Sequence, residues 1–161
     1  MNRRKFIEYS IKTIALASVP VINFFPKVNI SEDEKKLPWS SNTFKFPLEN
    51  FKLQSGETLN NAFLLVNVNG ELNQSKSNAI IFATCFAGSH KFNQMAYGIN
   101  RALNPLKYCI ITPNLFCSGY SSSPSNTSPL QDGPRFPSVT YYDNINAQDK
   151  LISEYFGITN P

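Results

Sequence analysis

Histidine occurs only once in this chain of 161 residues, at His90, and cysteine only three times, at Cys85, Cys109 and Cys117. None of these residues has the C-x-x-C or Cys/His spacing that is typical of a zinc site, so we expect neither a metal nor a cofactor. Three unevenly spaced cysteines also do not make a disulfide framework, because at most one pair can bridge. These absences exclude the small domains that metals or disulfides hold together.

Charge is scarce as well, since 16% of the residues are Asp, Glu, Lys or Arg and the net charge is +4. The basic residues are scattered apart from an N-terminal cluster, and no basic stripe carries interleaved aromatic residues. Such a stripe is typical of nucleic-acid-binding surfaces, so we expect no nucleic acid partner. The hydrophobic fraction of 42% instead indicates a globular chain whose length fits one domain.

The N-terminus has the order of an export signal: a basic pair, a moderately apolar stretch and then small residues. The pair Arg3-Arg4 resembles the twin-arginine type of signal, so both residues are predicted to engage the export machinery. The alternative is an amphipathic helix docked on the domain, with the arginines on its solvated face. Pro20 weakens that alternative, because proline in mid-helix kinks or stops the helix.

Three segments follow from this pattern. Residues 1–30 are the signal or targeting segment, and residues 31–42, with a charge run followed by Pro and Ser, are a linker. Residues 43–161 form the folded domain. We therefore expect an exported bacterial protein, periplasmic or on the cell surface, or tethered to the membrane by an uncleaved signal.

Four strands are predicted in the folded part. Apolar and polar residues roughly alternate over residues 43–56 and 62–68, which is typical of half-buried strands. Residues 78–86 and 108–114 are continuously apolar or small instead. That composition predicts strands buried on both faces of a parallel or mixed sheet.

Two helices complete the pattern. Residues 92–103 are consistent with a short helix that places Met95 and Ile99 on one face, between the two buried strands. Residues 141–156 are the clearer amphipathic helix, and Gly157 supplies its C-terminal cap. The order of elements predicts an α/β fold with a mixed, mostly parallel sheet and flanking helices.

Three linked stretches carry a resemblance to a known family: "GELNQSKSNAIIFATCFAGSH", "LNPLKYCIITPNLFCSGYSSSPSN" and "DGPRFPSVTYYDNINAQDKLISEYFGI". Together they resemble the homoserine O-acetyltransferase-like family of α/β-hydrolases over about residues 48–158. The match extends to a loop that has the form Pro-Asn-Leu/Met-Phe-Gly-Asn-Gly in the less studied members, and that is Pro113 to Gly119 here. The serine run from Ser121 to Asn126 follows it, as in the family.

The resemblance implies acyl transfer or ester hydrolysis by a Ser-His-Asp triad, with the serine in a G-x-S-x-G elbow. This sequence contains no G-x-S-x-G. The family order of Ser, then Asp, then His places the whole triad beyond Pro161, so no catalytic residue is assigned in this chain. We expect the N-terminal part of an incomplete α/β-hydrolase fold, from a truncated or split gene product that is inactive alone.

The resemblance does place part of a site after the third strand. One donor of the family's oxyanion hole is a backbone N–H in that loop, and alignment puts it at Phe86. Thr84, Cys85, Ala87 and Gly88 are the other candidates to line the pocket. Thr84 stands where homoserine acetyltransferases have His, which argues against homoserine as the acyl acceptor.

Other candidates have simpler structural explanations. Cys85 and His90 invite a Cys-His nucleophile, but their spacing brings no fixed contact and no carboxylate lies nearby, so His90 is better explained as a hydrogen-bonded loop residue. Asp143 and Asp149 lie on different faces of their helix and are explained by helix N-terminal charge and solvation. The serine run lacks the Gly-Lys-Ser/Thr ending of a phosphate-binding loop and is better explained by packing.

Two functions remain open. The first is a member of this acyltransferase and hydrolase family, whose partners in the complete protein are small-molecule acyl donors and acceptors. The second is a non-catalytic exported module that binds a partner through an uncovered sheet edge and the Ser/Pro loop.

Overall fold

A computed structural model describes residues 37–85 and 88–159, which contain one four-stranded sheet and its flanking turns and helices. The predicted export residues Arg3 and Arg4 lie outside this part of the chain, as do Phe86 and Ala87. None of the helices in the described ranges has the length and apolar character needed to cross a membrane.

A long antiparallel hairpin forms the first half of the sheet, from β1 (Ser41–Lys52) and β2 (Thr58–Asn69). The alternation predicted it: side chains such as Phe46 and Leu64 face each other in the register and are buried. The "SGE" turn is also confirmed, with the Gly56 N–H donating to the Leu53 carbonyl at 3.0 Å.

The hairpin begins two residues before the predicted domain start, because polar side chains fix its open end. The Asn67 side-chain amide donates to Thr43 Oγ1 at 2.8 Å and to the Asn42 carbonyl at 3.3 Å. The Asn69 amide donates to Asn67 Oδ1 at 2.6 Å, and the Trp39 indole donates to Asn69 Oδ1 at 3.2 Å. Contacts of the folded unit therefore extend to Trp39, within the range assigned to the linker.

The second half of the sheet is a parallel pair, β3 (Ala79–Ile81) and β4 (Cys109–Pro113). The strand order is β1-β2-β4-β3, and β2 pairs antiparallel with β4, so the sheet is mixed. All five residues of β4 are buried, as predicted. The described residues thus have the mixed sheet of an incomplete α/β-hydrolase fold.

The third strand is shorter and more exposed than predicted. Its ladder covers three residues, all half-buried, instead of a run to residue 86. The pairing ends after the Phe82 N–H, which donates to the Ile111 carbonyl at 2.9 Å. β3 is the last strand in the order, so its outer edge has no strand partner among residues 37–85 and 88–159.

The helix predicted over residues 92–103 is wrong. The chain forms α1 (His90–Asn93) and a 3₁₀ turn (Gln94–Ala96) and then extends. Tyr97 stops the helix, because its hydroxyl bonds to Thr112 Oγ1 on β4 at 2.6 Å. Met95 and Ile99 are consequently 61% and 51% exposed and do not form an apolar face.

The second predicted helix is confirmed as α2 (Tyr141–Lys150), which continues into a π-helical turn (Leu151–Tyr155). Gly157 ends it with a φ of 61°, in the left-handed region that glycine adopts freely. Leu151 and Ile152 are buried as expected, whereas Ile145 is 62% exposed. Ile145 lies toward β3, where no further strand of the described part covers it.

The core lies on the face of the sheet that α2 and its π turn cover. It consists mainly of large aliphatic and aromatic side chains from the hairpin, β4 and the helix: Phe46, Phe51, Leu53, Leu59, Leu64, Val66, Ile111, Phe116, Leu151, Ile152 and Ile158. Burial of this set holds β4 and the residues that follow it in place.

Candidate active site

The candidate site lies where β3 and β4 end. Because the two strands are parallel, their carboxyl ends meet at the same edge of the sheet, which is where α/β folds place ligands. The loop after β3 carries the residues that the resemblance assigned to the oxyanion hole. The residues after β4 form a second loop that lies next to the loop after β3.

Thr84 joins these two loops. Its side chain is buried, and its hydroxyl accepts a hydrogen bond from the Leu115 N–H at 3.4 Å. The chain between β3 and Thr84 is held from the other side by Asn93, whose amide donates to the Phe82 carbonyl at 3.0 Å and the Ala83 carbonyl at 3.2 Å. The positions of Phe82, Ala83 and Thr84 are therefore set by neighbours on both sides.

Cys85 and Gly88 form the described ends of the loop tip. The Gly88 N–H donates to the Cys85 carbonyl at 2.9 Å, while the Cys85 side chain is exposed. A Cβ on Gly88 would lie 2.6 Å from Cys85 Sγ, so any larger residue there requires the thiol to move. The predicted donor Phe86 and its neighbour Ala87 lie between them, outside the described residues.

Asn114, directly after β4, connects three parts of the site. Its side-chain amide donates to the Leu65 carbonyl at 2.7 Å, and its Oδ1 accepts from the His90 N–H at 3.1 Å. Its own carbonyl accepts from the Ser121 hydroxyl at 2.7 Å. One buried side chain therefore fixes the end of β4, β2 and the start of α1 relative to one another.

His90 is a structural residue in this arrangement. Its ring is buried, with Nδ1 at 3.2 Å from Asn114 Oδ1, and Tyr120 packs edge-on with the ring centroids 5.4 Å apart. Cys85 is not its hydrogen-bond partner. The interpretation of His90 as a residue satisfied by hydrogen bonds is confirmed, although it begins a helix.

The serine run is packed inside the protein, as expected. The Ser121 hydroxyl accepts from the Leu65 N–H at 3.0 Å, and the Ser122 hydroxyl accepts from the Phe63 N–H at 2.9 Å. Both residues are fully buried. These hydroxyls satisfy the β2 edge beyond the point where β4 ends, so neither serine is available as a nucleophile.

Cys117 stands where the family loop has its first glycine, and its backbone keeps a left-handed φ of 66°. The residue lines an open cavity of about 320 Å³ that lies against the start of α2. The Cys117 side chain is exposed, but partial desolvation by its neighbours raises the pKa of the thiol. The thiol is therefore neutral near pH 7.

The prediction that Asp143 is a solvated residue is wrong. Its carboxylate is fully buried and accepts hydrogen bonds from the Thr140 N–H at 2.8 Å and from the Gln54 N–H at 2.6 Å. Burial alone would raise the pKa of Asp143, but the bonds from Thr140 and Gln54 outweigh it and lower the pKa. The carboxylate caps α2 and ties it to the turn of the hairpin, whereas Asp149 is exposed.

The described residues contain no cluster of three His, Cys, Asp or Glu side chains that could hold a metal ion. All three cysteines are free. What sequence reasoning missed is Asn114 and the inward serine hydroxyls. A usable signal was present for Asn114, because a polar residue immediately after a buried strand lies at the site edge of an α/β sheet.

Comparison with known proteins identifies relatives, although no family model matches the chain. Ethyl acetate hydrolase of Pseudomonas veronii is 45% identical over 107 residues, covering 66% of this chain and 31% of that protein. Homoserine O-acetyltransferase of Methanosarcina acetivorans is 33% identical over 135 residues, covering 73% of this chain and 24% of that protein. The chain spans about a third of the curated esterases that it matches.

A solved structure agrees with these relatives. The acetyl esterase MekB superposes with a TM-score of 0.70 at 40% identity, covering 73% of this chain and 34% of that one. The sequence resemblance, the strand order and the structural match therefore agree. The chain belongs to the homoserine O-acetyltransferase-like family of α/β-hydrolases.

Proposed function

We propose that this chain supplies the oxyanion-hole part of an acetyl-ester hydrolase. The observation that carries the proposal is that Thr84, which begins the Thr84–Gly88 loop after β3, accepts a hydrogen bond from the Leu115 N–H in the loop after β4. A backbone N–H in such a loop stabilises the negative charge that develops on the ester carbonyl oxygen. Phe86 is the proposed donor.

Ester hydrolysis is favoured over transfer to homoserine. The esterase relative is 45% identical and the homoserine O-acetyltransferase 33% identical. Thr84 also replaces the histidine that the resemblance associates with homoserine acetyltransferases. We therefore propose acetyl esters of simple alcohols as the substrate class.

The nucleophile must come from residues other than the described ones. Ser121 and Ser122 are buried with their hydroxyls bonded to β2, and His90 is bonded to Asn114. No G-x-S-x-G is present in the sequence. We propose that these residues supply only part of the catalytic site and hydrolyse no ester alone.

The outer side of β3 is the proposed contact for the complementing part. An apolar groove of about 200 Å³ lies there, lined by Ile81, Ile145 and Ile152 together with two polar residues. An exposed strand edge beside an apolar groove favours the addition of another strand. The same surface carries the second candidate function, a non-catalytic module that binds a protein partner.

The test is complementation. The full chain is co-expressed with the residues of Pseudomonas veronii ethyl acetate hydrolase that lie outside the matched segment, and turnover of p-nitrophenyl acetate is measured. We expect none from either piece alone and turnover from the pair. Turnover by the chain alone that is lost in Cys85→Ala would overturn the proposal, and a stable complex without turnover would favour the binding module.

A matched pair of variants isolates the donor. Phe86→Pro removes the backbone N–H, and Phe86→Ala keeps it while removing the side chain. Loss of one oxyanion donor costs about 10²- to 10³-fold in kcat, so only the proline variant should fall that far. Equal losses in the two variants would contradict the role of the N–H.

A further inference from the structure

We propose that the cavity between the Leu115–Cys117 turn and the start of α2 receives the acyl chain of the ester, and that Cys117 limits the length of that chain. This inference rests on the proposed function and specifies its substrate. The cavity has a volume of about 320 Å³ and is lined by Leu115, Phe116, Cys117, Val139, Thr140, Tyr141 and Asn144.

The cavity lies next to the proposed oxyanion loop. Leu115 is one of its lining residues, and the Leu115 N–H donates to Thr84 Oγ1 at 3.4 Å. The cavity is therefore connected through Leu115 to Thr84, the first residue of the loop to which the proposed function assigns the ester carbonyl oxygen. Because Leu115 contacts both the cavity and the loop that begins at Thr84, the cavity suits the alkyl part of an acyl group and the loop suits its carbonyl oxygen.

The polar groups of the cavity are already paired with one another. Asn144 Oδ1 accepts from the Phe116 N–H at 2.7 Å, and the Asn144 amide donates to the Thr140 carbonyl at 3.0 Å. What remains for a ligand is chiefly carbon from Leu115, Val139 and Tyr141. Such a lining selects an uncharged alkyl group, and the volume lies at the small end of the range for ligand sites.

In this proposal Cys117 is the residue that limits the length of the acyl chain that the cavity accepts. A φ of 66° is disfavoured for a residue with a Cβ, so a side chain is retained here at a conformational cost that glycine avoids. The Cys117 side chain is exposed to solvent on one side and lines the cavity at the turn. With its thiol protonated near pH 7, Cys117 forms part of an apolar wall.

The first experiment uses the full chain and needs no turnover. Alkylation of each cysteine by iodoacetamide is followed by peptide mass spectrometry while methyl butyrate is raised through millimolar concentrations, with glycerol as the polar control. We expect the rate at Cys117 to fall saturably with methyl butyrate only. An unchanged rate at Cys117, or equal protection by glycerol, overturns the assignment even if the ester hydrolase proposal holds.

The second experiment measures specificity in the complemented enzyme. Cys117→Gly should raise the kcat/KM ratio of p-nitrophenyl butyrate to p-nitrophenyl acetate by about 10-fold, the usual effect of space for one or two methylenes. Cys117→Ser keeps the size and should leave the ratio within about 2-fold. A ratio that stays constant in Cys117→Gly, while the preference among alkyl acetates changes, would assign the cavity to the alcohol and refute the proposal. Where complementation gives no turnover, the alkylation result decides alone.

Discussion

The two loops at the carboxyl ends of β4 and β3 are neighbours in space but are built differently. After β4, the side chains of Asn114, Ser121 and Ser122 are buried, and each bonds to the backbone of β2. After β3, Thr84 is buried, but Cys85 is exposed and the described tip is closed by one backbone bond, from Gly88. Among the described residues, the loop after β4 is fixed by side-chain bonds to β2, and the loop after β3 by the bond between Leu115 and Thr84 and the bond from Gly88 to Cys85.

If the loop after β3 supplies the oxyanion donor as proposed, this difference bears on how a reactive backbone N–H is positioned. A donor that must bind substrate has to leave its N–H unpaired in the free protein, so its own loop cannot be fixed by bonding that N–H. The order is supplied by the next loop, through Thr84 to Leu115 and through His90 to Asn114. A site of this kind needs a rigid neighbour more than a rigid loop.

The largest expected effect comes from breaking the connection between the two loops. Asn114→Ala leaves the buried His90 N–H without its acceptor and removes the amide bond to Leu65, so we expect a loss of about 3 kcal/mol in unfolding free energy. Urea denaturation followed by circular dichroism measures it. The exposed Asn100→Ala is the control and should change stability by less than about 0.5 kcal/mol. Similar losses of unfolding free energy in the two variants would show that Asn114 does not hold the two loops together.

A smaller effect is expected within the β4 loop. Ser121→Ala leaves the Leu65 N–H buried and unpaired, which costs about 2 kcal/mol. Ser125, four residues later, is exposed, and Ser125→Ala should be within about 0.5 kcal/mol of the parent protein. Thermal denaturation of the two variants compares them directly. If Ser121→Ala is as stable as Ser125→Ala, the bond from the Leu65 N–H to Ser121 does not stabilise the loop after β4.

The smallest effect is expected in the β3 loop. In Gly88→Ala the new methyl group meets Cys85 Sγ, and the thiol side chain rotates away at a cost of about 1 kcal/mol or less. In a Cys85→Ala background the same change should cost less, because the sulfur is gone and the remaining close contact of the new Cβ is with the Cys85 carbonyl oxygen at 3.2 Å. A double-mutant cycle from urea denaturation measures this coupling. No coupling between residues 85 and 88 would show that they are not packed as described.

Local patterns were sufficient for much of this fold. The alternation of β1 and β2, the apolar run of β4 and the helix ended by Gly157 were all predicted correctly, because each depends on residues close in sequence. The helix over residues 92–103 was not, because the bond between the Tyr97 hydroxyl and Thr112 on β4 overrides local helical preference.

The candidate oxyanion site stays a prediction of the resemblance, because Phe86 lies outside the described residues. The packing of the serine run was predicted, but the partners of its hydroxyls were not, because they lie far away in sequence. The Ser121 hydroxyl accepts its hydrogen bond from the Leu65 N–H on β2, which lies 56 residues earlier in the chain. Asp143 shows the same limit, since its partner Gln54 is 89 residues distant.

The amides of Asn67 and Asn69 have a consequence for folding fidelity. Two strands of 12 residues with similar alternation could pair two residues out of step and still bury the same faces. In the observed pairing Asn67 lies opposite Thr43 and Asn69 opposite Ser41, whereas a shift of two would place Asn67 opposite Lys45 or Ser41. The bond from the Asn67 amide to Thr43 Oγ1 is lost in either shifted pairing. The side chains therefore disfavour most the register that places Asn67 opposite Lys45, because in the other shifted register Ser41, already 3.5 Å from the Asn67 amide, offers a hydroxyl acceptor.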